Sequence, residues 1–256
     1  MNNISYVDTL LYFLAYPIYV FGFLLALLEV IFLVKDSGKY FFFASNIFII
    51  IFEFIVIAVF KINTFDKNMI HTPYFEIKFS VYQFCILLIL YDLFFYIEHF
   101  LMHKLKLLQA IHYVHHSSKV FDLSVGFRLS WFRKIRRLVF FIPLLFIGFD
   151  ATLIILAMSL VNAYAFFVHS ATKIRYPKFL FFLVSPALHS IHHYERTKLL
   201  NIGGMFTVWD HLFNTFEDKL DTFPVFGVKG YVISLNPIKN EIYSLYLYFK
   251  HCLKIK

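Results

Sequence analysis

The chain has 256 residues, of which 60% are hydrophobic, with 36 Phe and 17 Tyr, and its mean hydropathy is +0.70. That composition excludes a disordered chain and an ordinary soluble domain, and it fits a membrane protein. A formal net charge of +8 would suit nucleic acid, but the basic residues crowd the edges of the apolar segments, where they would meet anionic headgroups. A membrane surface is therefore the expected partner, and nucleic acid is not.

In chain order, segments at about 10–34, 40–60 and 79–97 approach the roughly 20 apolar residues that cross a hydrocarbon core. The first is too long for a signal-peptide core, no Lys or Arg precedes it, and no small-residue cleavage site follows, so it is expected to be retained. Glu29 and Glu53 fall inside apolar runs, where a charge usually faces a partner within the bundle, and a packing or topological role is expected for both. Two cysteines, Cys85 and Cys252, support neither a disulfide framework nor a thiolate metal site, and Cys85 is expected to be packed inside. The stretch 103–137 holds eight Lys and Arg, which the positive-inside rule places in the cytoplasm, with the N-terminus on the opposite side.

Residues 138–168 contain their own break, Gly148-Phe149-Asp150, preceded by Pro143. The arms on either side would reach about 15 Å and 27 Å as helices, the first short for a perpendicular crossing. A helical hairpin that enters and returns on the cytoplasmic side is expected. Beyond it, Pro177 and Pro186 bracket a short apolar run, Gly203-Gly204 and Asn236-Pro237 mark turns, and 187–256 lacks a spanning segment. The fold expected is all-α: a polytopic membrane helix bundle with a cytoplasmic histidine-rich cap. Its parts are transmembrane helices in 1–78, a central domain at 79–220, and a C-terminal cytoplasmic tail at 221–256.

Nine of the twelve histidines form one pattern: His99 and His103; His112, His115 and His116; His169; and His189, His192 and His193. An H-x-x-H-H string should arise by chance roughly 0.03 times in such a chain, and it occurs twice. Residues three or four apart share a helix face, so each cluster can converge on one point or flank two adjacent metals. Neutral imidazole binds Fe, Zn, Cu or Ni, and this many nitrogens exceed what one closed tetrahedral site needs, so two metals are expected. All nine must then lie on one side of the membrane, which is what requires the hairpin. His71, His211 and His251 lie outside the pattern. Carboxylates are sparse nearby. Asp92, seven residues before His99, is a candidate to orient a ligand from another segment; Glu98, Asp122, Glu195 and Asp210 are the others. Tyr96, Tyr113, Phe127 and Trp131 are candidates to line an apolar cleft.

With these residues laid out, the stretch from Tyr91 to Glu217 resembles the fatty acid hydroxylase/sterol desaturase superfamily of membrane non-haem di-iron oxygenases. The resemblance rests on Tyr91-Asp92 leading into H-x3-H at 99–103, H-x-x-H-H at 112–116, His169-Ser170, and Ser185-Pro186 before the second H-x-x-H-H. Asn201-x-Gly203 and Trp209-Asp210-x-Leu212-Phe213-x-Thr215 complete it. The run His115-His116-Ser117-Ser118, with Phe121-Asp122-Leu123-Ser124 and Arg128-x-Ser130-Trp131, looks most like the alkylglycerol monooxygenase-like branch. The chain departs from the family pattern with Phe100 in place of Arg, Ile202 in place of Tyr and Asn214 in place of Gly, none of them an expected ligand.

The resemblance implies two iron ions held by the nine histidines, with Asp92, Asn201 and Asp210 behind them. It also implies O₂ activation, electrons from an external donor protein or reductant, and insertion of one oxygen atom into a C–H bond of a fatty acyl, ether lipid or sterol. Zinc fits imidazole equally, so a purified protein can carry zinc. A desaturase on the same centre is the close alternative. A histidine-rich metal transporter or sensor is the distant one, disfavoured because the histidines gather at one face instead of running through the membrane.

Overall fold

The computed structural model describes residues 21–60, 80–130, 142–195, 198–219 and 223–252. Among these residues the chain is all-helical, with two isolated β-bridges, Leu183 with Phe206 and Tyr194 with Phe226, and no strand. Trp131 and Arg133 to Arg137, the start of the expected hairpin, residues 10–20 of the first apolar run, and His71 lie outside the described residues.

Helix α1 (Phe21–Phe32) leads through a short turn to α2 (Lys39–Phe60), which the apolar pattern anticipates. Helix α3 (Val81–Lys104) opens on Ser80, whose hydroxyl accepts the Gln83 N–H at 3.2 Å as an N-cap. It runs past the expected end at 97 and so carries both His99 and His103. Among the described residues α3 is the one helix long and apolar enough to cross a membrane; α1, the first part of α2 and Leu153–Phe167 are apolar but shorter. Cys85, expected inside, is exposed on α3, because the face that packs inward is set by Leu87 and Tyr91 two and six residues on.

A single extended residue, Leu105, separates α3 from α4 (Lys106–His116). A 3-10 turn, Leu123–Phe127, follows, started by Asp122, whose carboxylate accepts the Ser124 N–H at 2.8 Å. The break near 148 appears as a helix C-cap followed at once by an N-cap. Helical residues 142–147 (α5) end with Gly148 at φ 105°, whose N–H reaches Leu145 O at 2.9 Å while Phe149 N–H reaches Leu144 O at 3.3 Å. That pair of bonds is a Schellman motif, which needs the left-handed conformation that glycine adopts freely. Asp150 then caps α6 (Ala151–Phe167) through the Leu153 N–H.

Leu144, Phe149, Ile154, Ala157 and Val161 pack on Leu87 and Tyr91 of α3, forming the main apolar core. A second cluster joins Ala26 of α1 to Leu123, Phe127 and Phe166. The outer surfaces are apolar too: Phe32, Tyr82 and Phe146 are 75–83% exposed. The cap consists of a 3-10 turn at Lys178–Leu180, α7 (Pro186–His192), α8 (Val208–Leu212) and α9 (Pro237–Cys252). Asn236-Pro237, read from sequence as a turn, starts a helix, with the Asn236 carboxamide accepting the N–H groups of Ile238 and Lys239 and Pro237 in the first turn. Within the segment 221–256, α9 packs on α4 and α2.

Candidate metal centre

The break at Leu105 builds the first half of the site. Along an unbroken helix, the 13 residues from His99 to His112 would span about 20 Å. With the chain folded back there, the Nε2 atoms of His99 and His112 stand 3.1 Å apart. Helix α7 arrives from the other side, capped by Ser185 with Pro186 in its first turn, and carries His189 and His192, with His193 at its C-cap. His169 follows the end of α6 directly.

All nine histidines of the sequence pattern converge, in two groups. His99, His103, His112, His116 and His192 form one; His115, His169, His189 and His193 form the other; in each group one nitrogen per residue lies within 4.8 Å of all the rest. The two H-x-x-H-H strings interleave. In α4 the first and third histidines join the first group and the middle one joins the second, whereas in α7 the middle histidine joins the first group and the outer two the second. Helical geometry accounts for this: residues i and i+4 are 40° apart around the axis, while i+3 lies on the other side of i.

Nitrogens held about 2.1 Å from one ion stand about 3.0 Å apart at right angles and about 4.2 Å apart across it. The Nε2 separations are 3.1 Å for His99 and His112, 2.9 Å for His112 and His116, and 3.1 Å for His116 and His192. In the second group they are 3.2 Å for His115 and His169, and 3.1 Å for His169 and His189.

Tautomers decide whether those contacts are hydrogen bonds. His115 Nδ1 donates to Arg128 O at 3.1 Å and His169 Nδ1 donates to Ala165 O at 2.6 Å. In a neutral imidazole the proton on Nδ1 leaves Nε2 a bare lone pair. The two Nε2 atoms 3.2 Å apart are then both acceptors, and a cation between them is what turns this repulsion into attraction. His99 Nδ1 donates to Ile202 O at 2.8 Å and His192 Nδ1 to Leu200 O at 2.9 Å, fixing the same tautomer in the first group. The Nε2 atoms of His103 and His193 are buried and take part in no hydrogen bond.

The electrostatics point the same way. Burial, reinforced by neighbouring histidines, holds His112, His116, His189 and His193 well below the usual imidazole range. Burial lowers His169 and His192 to about 4. At neutral pH these rings are neutral, the state in which imidazole binds metal. Two all-nitrogen sets of neutral, converging donors fit borderline divalent metals such as Fe, Zn, Cu or Ni, and fit Mg or Ca poorly.

Behind the histidines, the segment 200–217 acts as a frame. Asn201, at φ 48°, stands between the two carbonyls that hold His192 and His99; its carboxamide donates to Leu188 O and Glu217 O and accepts the Glu217 N–H. Asp210 accepts the N–H groups of Ile202 and Gly203 and the Thr215 hydroxyl. Gly203 has no room for a side chain, since a Cβ would come 2.7 Å from Asp210 Oδ2. Asp92 touches no histidine: its oxygens accept Met205 N–H at 2.8 Å, Phe206 N–H at 3.1 Å and Trp209 Nε1–H at 2.9 Å. These bonds tie the frame to α3.

Two braces hold the surrounding loops, Glu29 in the packing role its place in an apolar run suggests and Arg128 in a role the sequence reading missed. Glu29 of α1 accepts Leu123 N–H, Ser170 O–H and Ala171 N–H, clamping the loop after His169. Arg128, fully buried, donates to Ser117, Ser45 and Asn46 while its carbonyl holds His115. Glu29 did stand out as a charge in an apolar run, but a main-chain carbonyl has no sequence signature.

A cavity of about 230 Å³ opens onto the two groups, with His99, His112, His115, His169 and His189 among its lining residues. Its walls include Ile50, Phe95, Met102, Phe127, Met158 and Phe166. Phe127 lines it as expected. Tyr96 does not: its hydroxyl pairs with Thr215 at 2.9 Å and its ring stacks on Phe213. His211 stacks on Phe216 away from both groups.

Helices, buried all-histidine donor sets and an apolar cavity together define an all-α protein built around a candidate two-metal centre. The chain belongs to the fatty acid hydroxylase family, whose model matches residues 84–215. It is 28% identical over 158 residues to alkylglycerol monooxygenase of Homo sapiens, covering 60% of this chain and 35% of that protein. To the alkylglycerol monooxygenase of Danio rerio it is 29% identical over 133 residues, covering 51% and 29%, and to that of Caenorhabditis elegans 25% over 164 residues, covering 60% and 31%. The chain thus spans about a third of the length of these relatives. No solved structure matches it.

Proposed function

We propose that the chain is a multi-pass membrane oxidoreductase that hydroxylates a C–H bond of a lipid, using two iron ions, O₂ and electrons from an external donor. The observation that carries this reading is the junction of the apolar cavity with the two histidine groups. An apolar substrate can pack along the cavity walls while its reacting carbon rests beside the histidines. In this reading His99, His103, His112, His116 and His192 hold one iron and His115, His169, His189 and His193 the other. Bound iron would supply O₂ activation and removal of the substrate hydrogen.

The rest falls to the chain itself. Carbonyls 128, 165, 200 and 202 fix the ring orientations, Phe95, Phe127 and Phe166 exclude water, and the cavity walls align the lipid so that one carbon is presented. The alkylglycerol monooxygenase relatives support an ether lipid or another long-chain lipid as the substrate class. We place the catalytic domain at 79–220, with 138–168 as a re-entrant hairpin and the histidines at the cytoplasmic face.

Lipid profiles of cells with and without the gene product, alongside a His192→Ala control, test the reading. A product heavier by one oxygen that vanishes in the control is expected. A product lighter by two hydrogens would redirect the reading to desaturation, and profiles identical in all three strains, with metal transport into vesicles, would overturn it.

A further inference from the structure

Helix α9 has its polarity reversed relative to a helix of a water-soluble protein. Its inward face is polar, with Asn240, Glu241 and Ser244 buried beside Leu247. Each polar group is engaged there: the Asn240 carboxamide accepts the Ser234 N–H and donates to Ser234 O, Glu241 accepts the Ser130 hydroxyl at 3.0 Å, and the Ser244 hydroxyl donates to Ala110 O of α4. The outward face carries Ile238, Ile242, Tyr246 and Phe249, 41–60% exposed. These positions are four, four and three apart and so form one stripe along the helix. Lys239 is exposed at the edge of that stripe.

In water an amphipathic helix buries its apolar stripe; one that presents it outward with aromatic and lysine flanks is suited to the boundary between headgroups and acyl chains. The depth of α9 is fixed independently. Ser45 donates to Ser234 O at 2.7 Å, tying the entry of α9 to the second turn of the apolar helix α2. That end of α2 follows Lys35, begins with Lys39 and exposes Tyr40 and Phe41, the composition of a membrane interface.

We propose that α9 lies in the plane of the cytoplasmic leaflet, with Ile238, Ile242, Tyr246 and Phe249 among the acyl chains and Lys239 at anionic headgroups. Its polar face grips Ala110 and Ser130, so the helix sets the height of His112, His115 and His116 above the lipid. This rests on the membrane part of the proposed function and not on the oxygen chemistry.

Spin labels at 239, 242, 246 and 249, placed one at a time in a Cys85→Ser, Cys252→Ser background, test it in the full chain. The chain is reconstituted in phosphatidylcholine vesicles containing phosphatidylglycerol, and collisions with O₂ are compared with those of a water-soluble nickel chelate. Labels at 242, 246 and 249 should favour O₂, and the label at 239 the chelate. Chelate-accessible labels at all four positions in a chain that floats with the vesicles would overturn the proposal and leave the membrane reading standing. Suppressed collisions with both reagents would also overturn it, in favour of a second copy covering the stripe. A chain that fails to float would overturn both readings. Loss of turnover alone, with the label pattern intact, would touch only the oxygenase reading.

Discussion

The main-chain carbonyl of Ile202 accepts the Nδ1–H of His99 at 2.8 Å across 103 residues of sequence. Two residues earlier, Leu200 holds His192 in the same way, and Asn201 sits between them in a left-handed conformation. One strained residue thus orients two rings of the first histidine group. Asn201→Ala removes three hydrogen bonds and keeps the unfavourable φ, at a cost of about 2–3 kcal/mol. Metal analysis of the purified variant should show about one metal per chain lost, with Asn201→Gly closer to the parent in stability because it tolerates the backbone.

His115→Ala and His192→Ala remove one donor from different groups. Each should lower metal content and abolish turnover while membrane insertion persists. Retention of two metals with full activity in both variants would refute the ligand assignment.

Stability of the metal-free protein should fall on acidification from pH 6.5 towards 4. The folded histidines bind protons only well below the usual range, and His169 and His192 only near 4. The unfolded chain takes up protons first as pH drops through about 6.5, so unfolding is favoured by up to about 1.4 kcal/mol per buried histidine for each pH unit. Asp122, raised by burial to about 6, and Asp210, also raised by burial, work in the opposite sense, but the lowered histidines outnumber the raised carboxylates. Thermal unfolding in detergent should give similar midpoints at pH 7.5 and 8.5 and a lower one at 5.5; a midpoint unchanged at 5.5 would contradict this.

Filling the cavity should separate substrate binding from metal binding. Ala163 lines the wall, and Ala163→Leu should lower kcat/KM for a long-chain lipid by roughly tenfold or more. Metal content should be unchanged.

Truncating Arg128 strands the groups it bridges. Arg128→Ala leaves Ser45, Asn46 and Ser117 short of a buried donor, at a cost of about 3 kcal/mol. A lower unfolding midpoint, with weaker metal retention at the second group through His115, is the expected result.

The nine histidines were legible because their types, spacing and order are all properties of the sequence. The break at Gly148-Phe149-Asp150 was legible because glycine and an N-capping aspartate mark it. The division of each H-x-x-H-H string between two groups was not, since it depends on the rotation of α4 and α7 about their axes, which partners elsewhere fix. The partners of Asp92 were hidden for a related reason: its position on α3 could be counted, but they lie 113 to 117 residues away. The chain around Asn236-Pro237 read as a turn because the helix it starts buries polar residues, the inverse of the pattern that signals a helix in water.

Because α4 and α7 each contribute to both histidine groups, neither helix can rotate to suit one group without disturbing the other. Occupying either group restricts the conformational freedom of both helices, so the entropy lost on ordering the second is partly spent already. Metal uptake should therefore be cooperative, with singly loaded chains scarce at every stage of titration.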